Sequence, residues 1–433
     1  MKTSITIISV SVILACLTLR AQETPRPGGI PAHKDDAQVP TRFRLYDKNK
    51  NLKITPDELA DHPNAFTAGD SNKDGVITPA EFKNFESRLF NSRRGKMQQA
   101  SSTPSQPPLV TRNPDGATAY WPGTETWDTV TPAKLGWNEM VLKEALDYVG
   151  SKHTGALIIL HGGRIVVERY WNGWDETQRD SIASAAKSIT SVLIGIAQDR
   201  KRLSVDDPVS KHLGKGWSKA PPEEEARISI RHLLSMTSGL NEELAYVADA
   251  GQKWQYNNTA YHVTWKVIEA ATGQSLDSFT AEVLWGPLGM AYSRWGSSSH
   301  ISNARDCARF GLMVLRKGEW RGQSIVNAEY LRESTKSSQP MNPAYGWLWW
   351  LNGTDRYVVP GGIPGTGPMI PPAPPDLIAA LGRYDRKIYI VPSLDLVVVR
   401  MGEGAGVKRD ALSSFDRELW QRLMKAISER TTQ

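Results

Sequence analysis

Residues 182–198 read IASAAKSITSVLIGIAQ, and how they are read decides the fold. Ala185, Ile189, Val192, Leu193 and Ile196 recur at helical spacing and form one apolar stripe. Ser184 and Lys187, at i and i+3, share a helix face and lie close enough to touch. A serine near a helix start has backbone N–H groups and the positive end of the helix dipole beside it. Its hydroxyl is a weak nucleophile until a base takes the proton. A lysine is that base only where burial or a neighbouring charge lowers its pKa. Alone, Ser-x-x-Lys is common by chance, and two polar residues on an ordinary amphipathic helix are the plainer account.

A second stretch adds weight. WQYNN, residues 254–258, carries Tyr256 and Asn258 two apart, and in an extended segment these point the same way. A phenol there relays a proton; a carboxamide orients the lysine or holds a substrate carbonyl. Taken separately, they are a packed aromatic and a loop residue. Rival chemistries lack their residues: there is no G-x-S-x-G elbow, no HExxH and no Cys/His cluster. The eight histidines are dispersed, with His161 reading as a turn residue and His232 as a cap or packing residue. Trp254, Trp347, Trp349 and Trp350 offer either an aromatic wall for an acyl group or ordinary core packing.

The chain of 433 residues is long enough for one large core and something smaller. Its formal charge of +6 is spread among acids without a Lys/Arg block, which argues against nucleic-acid binding. Lys2 followed by an apolar run from Ile5 to Leu19 reads as a signal peptide over residues 1–21, too short for a membrane span. No later stretch is long and apolar enough to cross a bilayer. The expectation is a secreted or periplasmic protein of a bacterial envelope, with a lipid anchor at Cys16 as a variant of it. After signal removal only Cys307 remains, so no internal disulfide is available, and ARDCARFG places Cys307 as a small packed residue.

Residues 22–38 and 93–130 read as linkers around a compact module, residues 39–92. That module repeats itself: Phe43, Asp47, Ile54 and Glu58 return 23 residues later as Phe66, Asp70, Ile77 and Glu81. The second copy, DSNKDGVITPAE, has the EF-hand spacing, with Asp70, Asn72, Asp74, the Val76 carbonyl and Glu81 as oxygen ligands for Ca²⁺ and Gly75 at the sharp turn. The first copy offers Asp47, Asn49, Asn51, the Lys53 carbonyl and Glu58, but Leu52 replaces the glycine and lysines flank the ligands. It is expected to bind weakly or to act as a scaffold. Extracellular sites of this type hold calcium only on the order of 10⁻⁴ to 10⁻³ M. An Asp/Asn-rich pair of turns is the competing account. The chemistry itself needs no cofactor.

From residue 131 to 433 one large domain is expected. A helix carries Leu142, Ala145, Leu146 and Val149 on one face; ALIILHGGRIVVERY is a hairpin around Gly162-Gly163; IYIVPSLDLVVVR returns strands near the end; and a last helix carries Leu412, Phe415, Leu419 and Leu423. Helices and loops fill the middle. This order predicts an α+β fold, an antiparallel sheet flanked by helices plus a helical subdomain.

Taken together, the large domain resembles the serine hydrolases of the class C β-lactamase and penicillin-binding-protein group, with their esterase and 6-aminohexanoate-dimer hydrolase relatives. SAAKS matches the Ser-x-x-Lys of that group and YNN its Tyr-x-Asn. RHLLSMTSGL, TGQSLDSF, WGPLGM, ARFGLMVLRKGEW and IYIVPSLDLVVV resemble further landmarks in the expected order. The resemblance implies a β-lactamase/transpeptidase-like fold. It also implies Ser184 as nucleophile, Lys187 as general base, Tyr256 handling protons in deacylation and Asn258 positioning the other groups. The oxyanion hole would combine the N–H of Ser184 with one from a facing strand near ALGRYDRKIYIVP. Gly382 fits the third motif there and Arg383 would supply the second N–H. Ala380 and Leu381 stand where that group carries a Lys or His and a Thr or Ser, the residues that grip a β-lactam or peptide carboxylate. Arg383, Arg386 and Lys387 are either replacement charge or solvated edge residues. The expected function is hydrolysis of an ester or amide in a small-molecule or cell-wall-type substrate through an acyl-enzyme. The alternatives are β-lactamase or D,D-peptidase activity, or a non-catalytic envelope binding protein on the same fold.

Overall fold

The structure, a computed structural model, describes residues 43–59, 63–85, 106–112, 118–406 and 410–428. The expected signal peptide, Cys16 and the linker 22–38 lie outside these residues. The chain separates into two units, Met1–Thr103 and Pro104–Gln433.

In the smaller unit Ile54 and Ile77 exchange backbone hydrogen bonds of 2.9 and 2.8 Å. With Phe43 and Phe82, whose rings meet edge-on at 5.7 Å, they form a buried cluster. The sequence repeat is also a repeat of hydrogen bonds. The Asn51 and Leu52 amides donate to the Asp47 carboxylate as those of Asp74 and Gly75 donate to Asp70. Glu58 accepts from the Lys48, Asn49 and Thr55 amides as Glu81 accepts from Ser71, Asn72 and Thr78. These donors, the Thr78 amide foremost, hold the Glu81 carboxyl down at about 2.

The larger unit is built on a six-stranded sheet. Helix α1 (Glu139–Gly150) leads into β1 (Thr154–His161) and β2 (Arg164–Tyr170); after a helical region come β3 (Trp350–Leu351), β4 (Ile378–Gly382), β5 (Arg386–Val391) and β6 (Leu396–Gly402). The spatial order is β3-β4-β5-β6-β1-β2, antiparallel throughout. The β1–β2 turn is Gly162-Gly163, with φ of 59° and 81°. Positive φ at both positions is what a two-residue hairpin of right-twisted strands requires.

Strand period two sorts the layers. Ile388 and Val397 face α4 (Ala304–Leu315), where a Cβ on Gly311 would lie 2.6 Å from Val397. Tyr389 faces the other way and meets Trp420 of α5 (Ser414–Ser428) edge-on at 5.5 Å. Both faces of the sheet are therefore covered, which is why LVVVRMG of β6 is buried at every position. Between β2 and β3 lie α2 (Ala186–Asp199), buried from Ala186 to Ala197, and α3 (Asn258–Thr272).

Two expectations change. Leu109–Arg112 and Thr118–Trp121, assigned to the linker 93–130, form a strand pair that belongs to the larger unit. Ala119, Tyr120 and Trp121 are buried, Trp121 against Trp320 at 5.4 Å, and so this apolar run is core. Leu412 precedes α5 rather than lying on it.

Candidate active site

Ser184 sits in a tight turn, Ala183–Ala185, that runs directly into α2. Ala183, just before it, has a left-handed φ of 49°. The turn is tied on both sides. The Ile182 amide donates to the His300 carbonyl at 2.9 Å, and the Ser299 hydroxyl donates to the Ala183 carbonyl at 2.9 Å. Three residues on, at the start of the helix, Lys187 is 4% exposed. Its Nζ lies 3.4 Å from Ser184 Oγ and donates to Asn258 Oδ1 at 3.0 Å. The same nitrogen lies 4.3 Å from the Tyr261 ring centre and 5.0 Å from that of Tyr256. The four residues Ser184, Lys187, Tyr256 and Asn258 thus converge.

The extended segment expected runs as far as Asn257, whose φ of -130° and ψ of 112° turn Tyr256 and Asn258 to the same side, and the helix begins directly after it. Asn257 is the N-cap of α3, its Oδ1 accepting from the Ala260 amide at 2.9 Å, and Asn258 is the first helical residue. Tyr256 is held from the other side, stacked on Trp350 with rings 6.3 Å apart and 20° from parallel. Trp254 and Tyr345 complete this aromatic cluster. Of the four tryptophans singled out, Trp254 and Trp350 reach the site. Trp349 stacks on Phe310 in the core, and Trp347 packs on Tyr330.

The Gly382 end of β4 runs alongside the serine turn. A Cβ on Gly382 would lie 2.3 Å from the Ile182 carbonyl oxygen and 3.2 Å from the Ala185 nitrogen, so only glycine permits this approach. Arg383 follows, exposed, in the turn before β5. Ala380 and Leu381 are buried. Arg386 and Lys387 correct the expectation for that strand: they are neither solvated nor free to supply charge. Arg386 is 5% exposed, pairs with Asp180 at 2.8 Å and donates to the Ser181 carbonyl. Lys387 is 1% exposed and pairs with Asp416 at 2.9 Å and Asp385 at 3.3 Å. Strand β5 lies between β4 and β6, so its charges had to be matched internally.

Other residues fall as their types suggest. His232 caps a short helix by accepting from the Ser229 amide at 3.1 Å, and His161 ends β1 against Trp137. Burial pushes the Cys307 thiol up to about 12, so it is inert packing.

Two residues escaped the sequence. Tyr261, fully buried, forms the floor beneath Lys187. Its hydroxyl is 3.0 Å from both Thr190 Oγ1 and Trp265 Nε1, and burial raises its pKa so that the phenol stays neutral. Its place three residues after Asn258 on one helix was the available signal. Glu242 reaches the N-terminus of α3. Burial raises its pKa, but the amides of Asn258 and Thr259 and the Thr259 hydroxyl outweigh this and hold the carboxyl below its ordinary value. Nothing in the local sequence announces that contact.

The β-lactamase family matches the chain over residues 145–418. An uncharacterized protein of Alkalihalophilus pseudofirmus is 25% identical over 289 residues, which is 57% of this chain and 82% of that protein. Solved structures share the fold at lower identity. One assigned as a 6-aminohexanoate-dimer hydrolase from Bacillus anthracis aligns with a TM-score of 0.53 and 18% identity, over 77% of this chain and 93% of its own. A penicillin-binding-protein homologue from Caulobacter crescentus gives 0.53 and 12%, over 70% and 99%. A hydrolase with promiscuous acyltransferase activity gives 0.51 and 15%, over 68% and 98%. With the family matched over residues 145–418, a range that holds all six strands of the sheet, the chain belongs to the β-lactamase family.

Proposed function

We propose that this protein is an exported serine hydrolase that cleaves esters, and linear amides less readily, through an acyl-enzyme on Ser184. The observation that carries the reading is the buried Lys187 amine held between Ser184 Oγ at 3.4 Å and Asn258 Oδ1 at 3.0 Å. An amine that commits an N–H to the Asn258 oxygen has its lone pair left for the serine proton. Ser184 Oγ attacks the carbonyl carbon as its proton passes to Lys187. The N–H groups of Ser184 and Arg383 meet the oxyanion. Collapse breaks the bond to the leaving alkoxide, which takes up the proton through Lys187 or Tyr256. Water then attacks the acyl carbon as its proton passes through the Tyr256 hydroxyl to the Lys187 amine, and collapse of the intermediate returns that proton to Ser184 Oγ and frees the serine.

Two features favour a neutral ester over a β-lactam or D,D-peptide. Apolar Ala380 and Leu381 occupy the strand where a carboxylate would be gripped, and Arg386 and Lys387 are engaged by Asp180, Asp385 and Asp416. The stacked Tyr256 and Trp350 suit an apolar acyl group. The test is turnover of p-nitrophenyl butyrate by wild type and Ser184→Ala, beside a chromogenic cephalosporin and fluorophosphonate labelling. The expected result is ester turnover and a label on Ser184, both absent from the variant, with the cephalosporin a poor substrate. Undiminished turnover by Ser184→Ala would falsify the assignment. A folded wild type silent to every substrate and to the probe leaves a binding protein.

For the smaller unit we propose calcium at the second loop. Asp70, Asn72, Asp74, the Val76 carbonyl and Glu81 form a hard-oxygen donor set that fits the ion, with Glu81 kept ionised by its hydrogen bonds. Among the described residues no three His, Cys, Asp or Glu side chains are already gathered as a metal would gather them. Bound calcium would order the loop and plays no part in the hydrolysis.

A further inference from the structure

Glu242 stands outside the four residues of the proposed chemistry, yet it grips one of them. Its Oε1 accepts from the Asn258 amide at 2.9 Å and from Asn258 Nδ2 at 3.4 Å. Its Oε2 accepts from the Thr259 amide at 3.0 Å and the Thr259 hydroxyl at 2.9 Å. The loop that carries Glu242 is itself pinned to the start of α3. Asn257 Nδ2 donates to the carbonyls of Leu240 and Asn241 at 2.8 and 2.7 Å, and Asn241 Oδ1 accepts from the Glu243 and Ala245 amides at 3.0 and 2.8 Å. A carboxylate in a fixed loop, aimed at a helix N-terminus that already has an N-cap, does more than cap it.

A carboxamide can turn over and exchange its oxygen for its NH₂ at little local cost, so the surroundings decide which atom it shows. Glu242 has only acceptor atoms. Facing Asn258, it takes the NH₂ and leaves Oδ1 turned toward Lys187. That choice matters for a lysine acting as base. An Asn258 oxygen accepts one N–H of the amine and so points the lone pair away from itself, to Ser184. An Asn258 NH₂ in the same place would donate to that lone pair and compete with the serine proton. We propose that Glu242 is a positioning residue of the hydrolase: by fixing which end of Asn258 meets Lys187, it aims the amine's lone pair at Ser184. The inference rests on the acyl-enzyme reading above.

Glu242→Gln is the informative variant. Glutamine keeps the length and can still cap the helix, but its amide serves either orientation of Asn258. We expect kcat/KM for p-nitrophenyl butyrate to fall about tenfold, the size of one lost charge-assisted hydrogen bond, with the loss in kcat and KM nearly unchanged. In an Asn258→Ala background the same change should cost less than about twofold, because the group it positions is gone. Equal losses in both backgrounds, or a fall that tracks the melting temperature instead, would mean that Glu242 only caps the helix, and the proposal is overturned. Should Glu242→Gln fold poorly, Glu242→Asp in the same two backgrounds gives the same comparison. Fluorophosphonate labelling of wild type separates the two levels. A wild type that is labelled and active while the Glu242 variants match it loses this inference alone; a wild type neither labelled nor active loses the hydrolase reading with it.

Discussion

A lysine amine is rarely found inside a protein without a purpose, because removing a charge from water costs several kcal/mol unless partners repay it. Lys187 is 4% exposed, and it is surrounded by a serine hydroxyl, a carboxamide oxygen and two tyrosine faces, with no ion pair to a carboxylate among the described residues. Structure alone would favour a methionine, which has nearly the same length and shape and no charge. Lys187→Met should therefore leave denaturant unfolding within about 1 kcal/mol of wild type, or raise stability. It should also lower kcat/KM on p-nitrophenyl butyrate by about 10²- to 10⁴-fold, the usual contribution of general acid–base catalysis. Retention of a tenth or more of the activity would remove Lys187 from the base's role. A large loss of stability would make it a structural residue. Ala183 belongs to the same scale. A left-handed alanine costs on the order of 1 kcal/mol, and here it precedes the nucleophile with its carbonyl held by Ser299.

At the scale of elements, local pattern and remote pairing part company. The β1–β2 hairpin and α2 could be read because their signals are contained within a few residues: two glycines between β-rich runs, and an apolar stripe of period 3.6. The spacing of Tyr256 and Asn258 reads as an extended segment, which holds through Asn257, but the helix that begins at Asn258 is not legible from that pair because the decisive residue is the cap between them. Arg386 and Lys387 were illegible, since their partners Asp180 and Asp416 are far off in the chain and only the sheet brings them together. The smaller unit shows the favourable case, in which repeated spacing returned as repeated hydrogen bonds. The two loops nevertheless differ at one point. Gly75 has φ 85° and its counterpart Leu52 has φ 61°, a conformation that costs a leucine about 1 kcal/mol. Calcium should therefore bind the second loop first, on the order of 10⁻⁴ to 10⁻³ M. Calorimetric titration of the full chain should lose its main binding event in Asp70→Asn and keep it in Asp47→Asn, with ester turnover indifferent to chelator. No calcium heat, or equal damage from both variants, refutes the metal assignment.

At the scale of the whole molecule, the sheet and the helical region are joined by buried polar groups, and one of them makes stability depend on pH in a way that can be isolated. Asp306, in the first turn of α4, is 2% exposed and accepts from the Tyr292 amide at 2.8 Å and the Ser293 hydroxyl at 2.9 Å. Burial pushes its carboxyl up to about 7 against an ordinary 3.8, and nearby Arg309 offsets only part of that. The folded chain then holds the proton more tightly than the unfolded chain. The favourable contribution is complete below pH 3.8 and is lost as pH rises through about 7. His300, buried and pushed down to about 3 by the same desolvation, works in the opposite sense: its contribution is complete above 6.5 and lost as pH falls. A wild-type profile mixes the two, so the measurement must be a difference. An asparagine oxygen can accept the same two hydrogen bonds without a charge. The stability gap between Asp306→Asn and wild type should be close to zero at pH 4, open between pH 4 and 7 to as much as about 4 kcal/mol, and stay constant above. Urea unfolding of both proteins at a series of pH values reads this directly. A gap that is the same at every pH would show that Asp306 stays ionised throughout, and that Arg309 rather than a proton neutralises it.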